Sequence, residues 1–498
     1  MSQQVTAPGT VPVGSGSNST TTLKRGAVGL VGAATLGAIM MSPALGLYGN
    51  WGPLALDVGV IGPLIFALGL LVALPTAISY AVIARVMPSS GSAYTWLWRS
   101  LTPSAGIFIG WIMAGYYIVA VILQPYLFGL YFTELLKYVG ITGLDQYVAG
   151  AIGVLIVTAI GAYFVYGGIQ LSVRGTVALI LIESIVAGAL ALTIIFVKAS
   201  QGNLSFAPFD PGQMGGAKDI GLALIIMVLS YTGFDVISTV AEETHSPRTL
   251  IPRATIIALL GVAVFWIIGT WGLSIAVPMT QVNDLVASGM TPVTPIAKQY
   301  WGAGEILVII TALTAATGVF IACAVGASRV IYAMGREGSL PSVLGKINPR
   351  FQTPWNANHV VFGISLFATL VWPFWLSANF LASFVWWAGA ITFFALVTYL
   401  FVNLANILYF TRIKPTQRNI LTNIIAPVIG IVVDALVLYQ AFFVSLWNVP
   451  DWRTGQAIIE FCLLVAVVGI VYVVVIRARK PELMKQQALV FDENVAEG

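Results

Sequence analysis

Two carboxylates stand where a charge is expensive. Glu183 lies among Leu181, Ile182, Ile185 and Val186, and Asp235 follows the run Ser230-Tyr231-Thr232-Gly233-Phe234 inside another long apolar stretch. A carboxyl group in such surroundings either carries a proton or meets a cation, and in membrane spans such residues mark ion and substrate paths. Glu183 is therefore the leading candidate for a coupling residue, with hydrogen-bonded structural glue as the competing reading. Asp235 is the second candidate, able to meet a cationic group, act as a gate, or cap the helix that follows it.

Both carboxylates accompany signs of broken helices. In the apolar run from Gly26 to Gly49, Gly37 weakens the helix, and Pro43 lacks an N–H and crowds the carbonyl of Ile39. An opening is expected over Leu36, Gly37, Ala38, Ile39 and Met40. In the run from Ile220 to Val240, the segment Leu229, Ser230, Tyr231, Thr232 and Gly233 places glycine and hydroxyl groups in mid-membrane. Freed N–H groups at Gly37 to Met41 suit a carboxylate, and freed carbonyls at Leu229 to Tyr231 suit an ammonium group. Together they describe a site for a zwitterion or an amine. The competing reading is that Gly37 and Gly233 only allow close helix packing. Tyr116 and Tyr117, Tyr231, and Trp386 and Trp387 are further candidates to wall a pocket. Tyr117 is counted with the binding residues, and Tyr231 stands out among the aromatics through its place at the break, the others reading more readily as packing.

No catalytic residues are assigned, because the chain lacks a nucleophile with a base at useful spacing, a His-Glu-x-x-His pair and a Gly-x-x-x-x-Gly-Lys loop. An enzyme is not expected, and neither a cofactor nor a metal is implied. Cys323 and Cys462 fall inside apolar runs, and His245 and His359 lie far apart in the sequence.

The elements that must position these residues are membrane spans. Hydrophobic residues make up 58% of the 498 and charged ones 8%, a balance that implies an all-α membrane protein. Spans are expected near 26–49, 58–84, 104–132, 147–166, 175–198, 219–240, 254–277, 305–334, 355–374, 380–410, 421–446 and 455–477, twelve transmembrane helices. Of the 23 Lys and Arg residues, only Lys137, Lys198, Lys218, Lys298 and Arg453 fall on one side of that topology. The charge asymmetry places both termini in the cytoplasm of a multi-pass plasma-membrane protein. The net charge of +4 reflects those anchors and the anionic lipid surface, not nucleic acid binding.

Residues 1–22, free of charge and of apolar runs, are expected as a disordered cytoplasmic tail, and 481–498 as a second tail. Residues 23–480 form the membrane domain. Five spans separate the two broken runs, so units of about 26–198 and 219–410 insert with opposite topology, with the helices of about 421–477 peripheral. That is the inverted repeat of secondary transporters, whose site lies near the midplane.

Three motifs then carry a resemblance. Tyr231-Thr-Gly-Phe-Asp-Val-Ile-Ser-Thr-Val-Ala-Glu-Glu-Thr-His-Ser-Pro-Arg-Thr-Leu-Ile-Pro-Arg-Ala254, Pro88-Ser-Ser-Gly-Ser-Ala-Tyr94 and Ser328-Arg-Val-Ile-Tyr-Ala-Met-Gly-Arg-Glu-Gly-Ser-Leu-Pro341 resemble elements of the amino acid, polyamine and organocation (APC) superfamily. The resemblance covers roughly residues 26 to 480. It implies a leucine-transporter-like 5+5 inverted repeat with broken helices 1 and 6, and alternating access driven by an ion gradient or exchange. Leu36 and Ala38 depart from the small residues usual in the first unwound segment, and Leu229 replaces an aromatic lid. Glu183 stands where some proton-coupled relatives have a lysine that takes the place of a sodium ion.

The expected function is a permease moving an amino acid, with a proton as the coupling ion. A polyamine or other organocation carrier is the alternative, and a receptor or channel is the rival of another class.

Overall fold

The computed structural model describes residues 22–214, 220–376 and 379–486. The tails before residue 22 and after 486, and Lys218, lie outside the described residues. All regular structure among the described residues is helical, and eleven segments are long and apolar enough to cross a membrane.

In chain order the helices are α1 (Leu30–Met41), α2 (Pro43–Leu45), α3 (Trp51–Val58), α4 (Gly62–Val86), α5 (Ala93–Ser100) and α6 (Pro103–Tyr138). They continue as α7 (Gln146–Tyr166), α8 (Ile169–Ser200), α9 (Gly221–Tyr231), α10 (Val236–Thr239), α11 (Pro247–Ala276) and α12 (Met279–Ala287). The chain closes with α13 (Val293–Trp301), α14 (Glu305–Arg336), α15 (Trp355–Val371), α16 (Phe380–Leu408), α17 (Ala426–Leu438) and α18 (Gln456–Arg479). A π-helical turn, Gly46–Asn50, joins α2 to α3.

Burial ranks the helices by their distance from the centre. The apolar window of the α9–α10 segment is 89% buried, against 22% for α18 and 28% for α8. The outer faces carry Leu181, Ile185 and Phe196 on α8 and Leu464, Val471 and Val474 on α18, all exposed. In a chain of this hydropathy such faces meet lipid. Glu183 points the other way and is fully buried.

The two breaks have separate causes. α1 runs without interruption through Leu36 to Met41, and the chain leaves the helix at Ser42, with φ 50 and ψ 107. The opening expected over Leu36 to Met40 is thus displaced to Ser42. The residue before a proline is disfavoured in the α region, while proline itself suits the first position of a helix, so Pro43 ends one helix and starts the next. Gly37, the other expected breaker, is a packing glycine: a Cβ there would lie 2.5 Å from Cδ1 of Ile237 on α10. The second break lies between Tyr231 and Val236, with Gly233 at φ 133; Leu229, Ser230 and Tyr231 stay in α9, so the opening begins later than the expected Leu229 to Gly233.

The broken helices are tied together at one end. The N–H of Val28 donates to the Glu243 carbonyl, 3.0 Å, and the N–H of His245 donates to the Val28 carbonyl, 2.9 Å. Two ion pairs clamp the same place. Arg329 of α14 holds Glu243 through Nε and Nη2 at 3.0 and 3.1 Å, and Arg336 holds Glu242 through Nη1 and Nη2 at 2.7 and 3.0 Å. Arg329 is fully buried, so it is an internal partner and not the lipid-facing anchor its sequence position suggests. Residues 480–486 pack against the bundle: Leu483 is buried, and Trp98 donates through Nε1 to the Gln486 carbonyl at 2.9 Å.

Burial pushes the Glu242 carboxyl up, but the Arg336 guanidinium and the Ser90 N–H outweigh it and hold the group below its ordinary 4.5. The stabilisation is therefore complete above pH 4.5 and is lost as pH falls through the lower folded value. Glu242→Gln is expected to lower stability near neutrality by on the order of 2 kcal/mol. Thermal unfolding of purified protein checks this: the gap from the unsubstituted chain must shrink at acid pH, and a gap constant across the range contradicts it.

Candidate functional site

At the first break, the segment from Pro43 presents a fresh helix N-terminus. Its donors are already taken. The N–H of Leu45 donates to Ser42 Oγ at 3.1 Å, and the N–H of Ala44 donates to Glu183 Oε2 at 3.1 Å. The Ser42 hydroxyl also donates to Oε2, at 2.5 Å. Glu183, brought across by α8, therefore occupies the position that the partial positive charge of a half-helix offers to an anion. Its other oxygen, Oε1, is buried without a hydrogen-bond partner in the structure.

At the second break the anion is Asp235. Its Oδ1 accepts from the Gly233 N–H at 3.1 Å, from Tyr399 at 3.0 Å and from Tyr116 at 3.2 Å, and its Oδ2 accepts from Tyr117 at 2.5 Å. Three phenols from α6 and α16 converge on one carboxylate. Tyr80 of α4 stacks edge-on against Phe234 and Tyr399 beside it. Tyr117 is thus a ligand of Asp235 and does not line the cavity described next.

The breaks touch. A Cβ on Gly233 would lie 2.9 Å from the backbone N of Met41 and from Cγ of Met40. Beside this contact lies a narrow cavity of about 30 Å³, room for one or two waters. Met40, Leu45, Leu229 and Phe384 supply apolar wall, and Asn50, Gln124, Thr232 and Cys323 supply the polar atoms.

Of the residues singled out from sequence, Met40, Leu229 and Thr232 line this cavity. Ser230 is held one step behind it, accepting from Asn50 Nδ2 at 2.8 Å. Tyr231 turns away: its hydroxyl donates to the Phe66 carbonyl at 2.6 Å, and its ring packs against Trp266. Leu36 is buried inside α1, Ile39 packs on Gly318, and Ala38 faces a separate apolar crevice beside Ile257 and Phe265. Gln124, whose Oε1 is buried without a hydrogen-bond partner in the structure, and Asn50 were missed. Each is an amide in an apolar run, and that cost was the available signal. Trp386 lines a different and larger crevice toward α17 and α18, shared with Asp57 and Asn379.

Residues 32–486 match the amino acid permease family. The chain belongs to that family, within the APC superfamily. Similar proteins include the low-affinity putrescine importer PlaP of Escherichia coli K12, 29% identical over 352 residues, covering 70% of this chain and 73% of that one. The branched-chain amino acid permease BcaP of Lactococcus lactis is 30% identical over 358 residues, covering 67% and 72%. The methylthioribose transporter of Bacillus subtilis is 26% identical over 311 residues, covering 59% and 64%. These relatives are all transporters, and this permease, like them, is a multi-pass membrane protein of many apolar helices.

Gly233 is constrained twice over. Its positive φ disfavours any side chain, and a Cβ there would meet the Met40 side chain and, as closely, the Met41 backbone N, which cannot rotate away. Gly233→Ala is expected to lower stability by about 3 kcal/mol, from backbone strain and the displaced Met41. Unfolding in detergent measures this, and a change within experimental error contradicts the contact.

Proposed function

We propose that this permease is a secondary active transporter that moves a small amine-bearing solute, in the first instance an amino acid, by alternating access across the plasma membrane. The observation that carries this reading is the contact of two broken helices at Gly233 and Met40–Met41 beside a narrow cavity walled by apolar and polar side chains. Irregular backbone in a membrane is tolerated where it lines such a space. Asn50, Gln124 and Thr232 offer a solute donors and acceptors beside the apolar Met40, Leu45, Leu229 and Phe384. A space that holds one or two waters must widen in the cycle to admit an aliphatic amino acid. Membership of a permease family supports the same reading.

The proposed topology has twelve crossings. Leu30–Val86 spans 57 residues, about 85 Å if fully helical, nearly three times the ~30 Å of hydrocarbon. It reverses at Gly59, φ 65, and so counts as two. Residues 26–198 and 219–410 form the inverted repeats, and both termini are cytoplasmic. Glu183 and Asp235 are the proposed coupling groups, and the proton the coupling ion. Each carboxylate secures a helix break, so its protonation changes the hydrogen bonding of the segment that must move.

A diamine or related organocation is the second reading. It is favoured by Glu183, which fills the anion position at the Pro43 half-helix that a substrate carboxylate would need. The putrescine-importing relative points the same way.

Proteoliposome uptake of leucine and of putrescine, each with and without an inward proton gradient, separates these readings. Gradient-driven accumulation of either assigns its class, and no flux of any solute, with binding intact, turns the reading to a receptor. Glu183→Gln is expected to keep exchange but lose about tenfold gradient-driven accumulation per pH unit. Accumulation unchanged in that variant removes Glu183 from the coupling step.

A further inference from the structure

The helices beyond the repeats bring a third carboxylate into the membrane interior. Asp434 of α17 is buried, and its Oδ2 accepts from Thr76 Oγ1 at 3.0 Å and from Asn403 Nδ2 at 3.4 Å. No ion pair reaches it among the described residues, and the neighbour that bonds it most closely is the neutral Thr76.

Its position relative to the proposed site is set by two helices at once. On α16, Asn403 lies one turn beyond Tyr399, the phenol that donates to Asp235. On α4, Thr76 lies one turn before Tyr80, which stacks on Tyr399 and Phe234 and lies within Coulomb range of both Asp235 and Asp434. The Tyr80 hydroxyl is buried and has no hydrogen-bond partner in the structure. Asp434 and Asp235 therefore flank the same turn of α4 and the same turn of α16. Residues four apart share a helix face, so a shift of either helix changes both carboxylates together.

A polar ladder continues from Asp434 to one end of the bundle. Thr76 Oγ1 accepts from Asn403 Nδ2 at 2.8 Å, and Ser79 Oγ donates to Asn403 Oδ1 at 2.6 Å. Asn406 Nδ2 donates to Ser79 Oγ at 3.1 Å, and Asn423 Nδ2 donates to Asn406 Oδ1 at 3.0 Å. Asn423 adjoins the turn that carries Arg412, Lys414 and Arg418. Gly430, one turn before Asp434, makes the contact possible: a Cβ there would lie 2.6 Å from Asn403 Nδ2.

We infer that Asp434 is a further proton-carrying site of the transport cycle, beyond Glu183 and Asp235, linked to Asp235 through one turn of α4 and one of α16. Only an O–H bond forms and breaks: the carboxylate takes one proton from water on one side and returns it on the other. Structural glue alone requires no carboxylate here, because a neutral amide would accept the same bonds from Thr76 and Asn403 without the cost of a charge in hydrocarbon. The ladder of side-chain hydrogen bonds holds the carboxylate on the face it shares with Thr76 and Asn403. On α4 the titratable side chain one turn from Thr76 is Tyr80. On α16 the side chain that meets Asp434 is the neutral Asn403, and among the described residues no ion pair joins Asp434.

This inference rests on the proton-coupled reading and is tested apart from it. Proteoliposomes holding the full chain are loaded for counterflow exchange of leucine or putrescine, and separately subjected to a one-unit inward proton gradient. An unsubstituted chain that exchanges but does not respond to the gradient overturns the coupled reading itself, and this inference with it. In a chain that does respond, Asp434→Asn is expected to exchange within about twofold of normal while gradient-driven accumulation falls about tenfold. Full gradient response in that variant overturns the role of Asp434 alone. Should Asp434→Asn fail to fold, Gly430→Ala supplies the test, because it displaces Asn403 and leaves the carboxylate. It is expected to shift the pH of half-maximal uptake by about one unit, and an unmoved pH profile overturns the proposal.

Discussion

The rest of the structure depends on satisfying backbone donors and acceptors where two helices are interrupted inside hydrocarbon. Each bare group there costs several kcal/mol. At Ser42 the donors go to the serine's own hydroxyl and to Glu183, and at Gly233 the donor goes to Asp235. Pro43 and Gly233 make the breaks, the carboxylates satisfy the donors that the breaks free, and the breaks in turn offer the carboxylates hydrogen bonds. Under the proposed proton coupling, a group that both secures a break and binds a proton would connect an ion gradient to backbone conformation directly.

The phenols around Asp235 extend that constraint across the bundle. Tyr116 and Tyr117 come from α6 and Tyr399 from α16, so helices otherwise packed through apolar side chains are referenced to one point. The Val28–Thr244 contact and the Arg329–Glu243 and Arg336–Glu242 pairs do the same at one end. The two broken helices are thus joined twice, by Gly233 against Met41 and by backbone hydrogen bonds at Val28.

Much of this was legible in the sequence, and the exceptions have physical reasons. Long apolar runs gave the helices, and Gly233 among hydroxyls gave the second break. The first break was read too early because Gly37 and Pro43 were taken together. Pro43 acts on the residue directly before it, whereas Gly37 serves a contact with Ile237 that no local pattern reveals. Glu183 and Asp235 stood out by cost, but their partners lie more than a hundred residues away in the chain. Asn50 and Gln124 carried the same signal more weakly, since a neutral amide is cheaper to bury than a charge. Asp434 lies in an apolar run at a similar cost, but its contact with α16 depends on Gly430, whose role appears only in three dimensions.

The most direct test of a solute cavity at the crossing of the broken helices uses Cys323, which lines it. In a Cys462→Ala background, modification of Cys323 by a small methanethiosulfonate is followed in proteoliposomes during exchange. The account predicts that Cys323 reacts as the permease cycles and that the transported solute slows the reaction. Undiminished labelling at saturating solute, with exchange intact, would place the solute elsewhere and contradict the account.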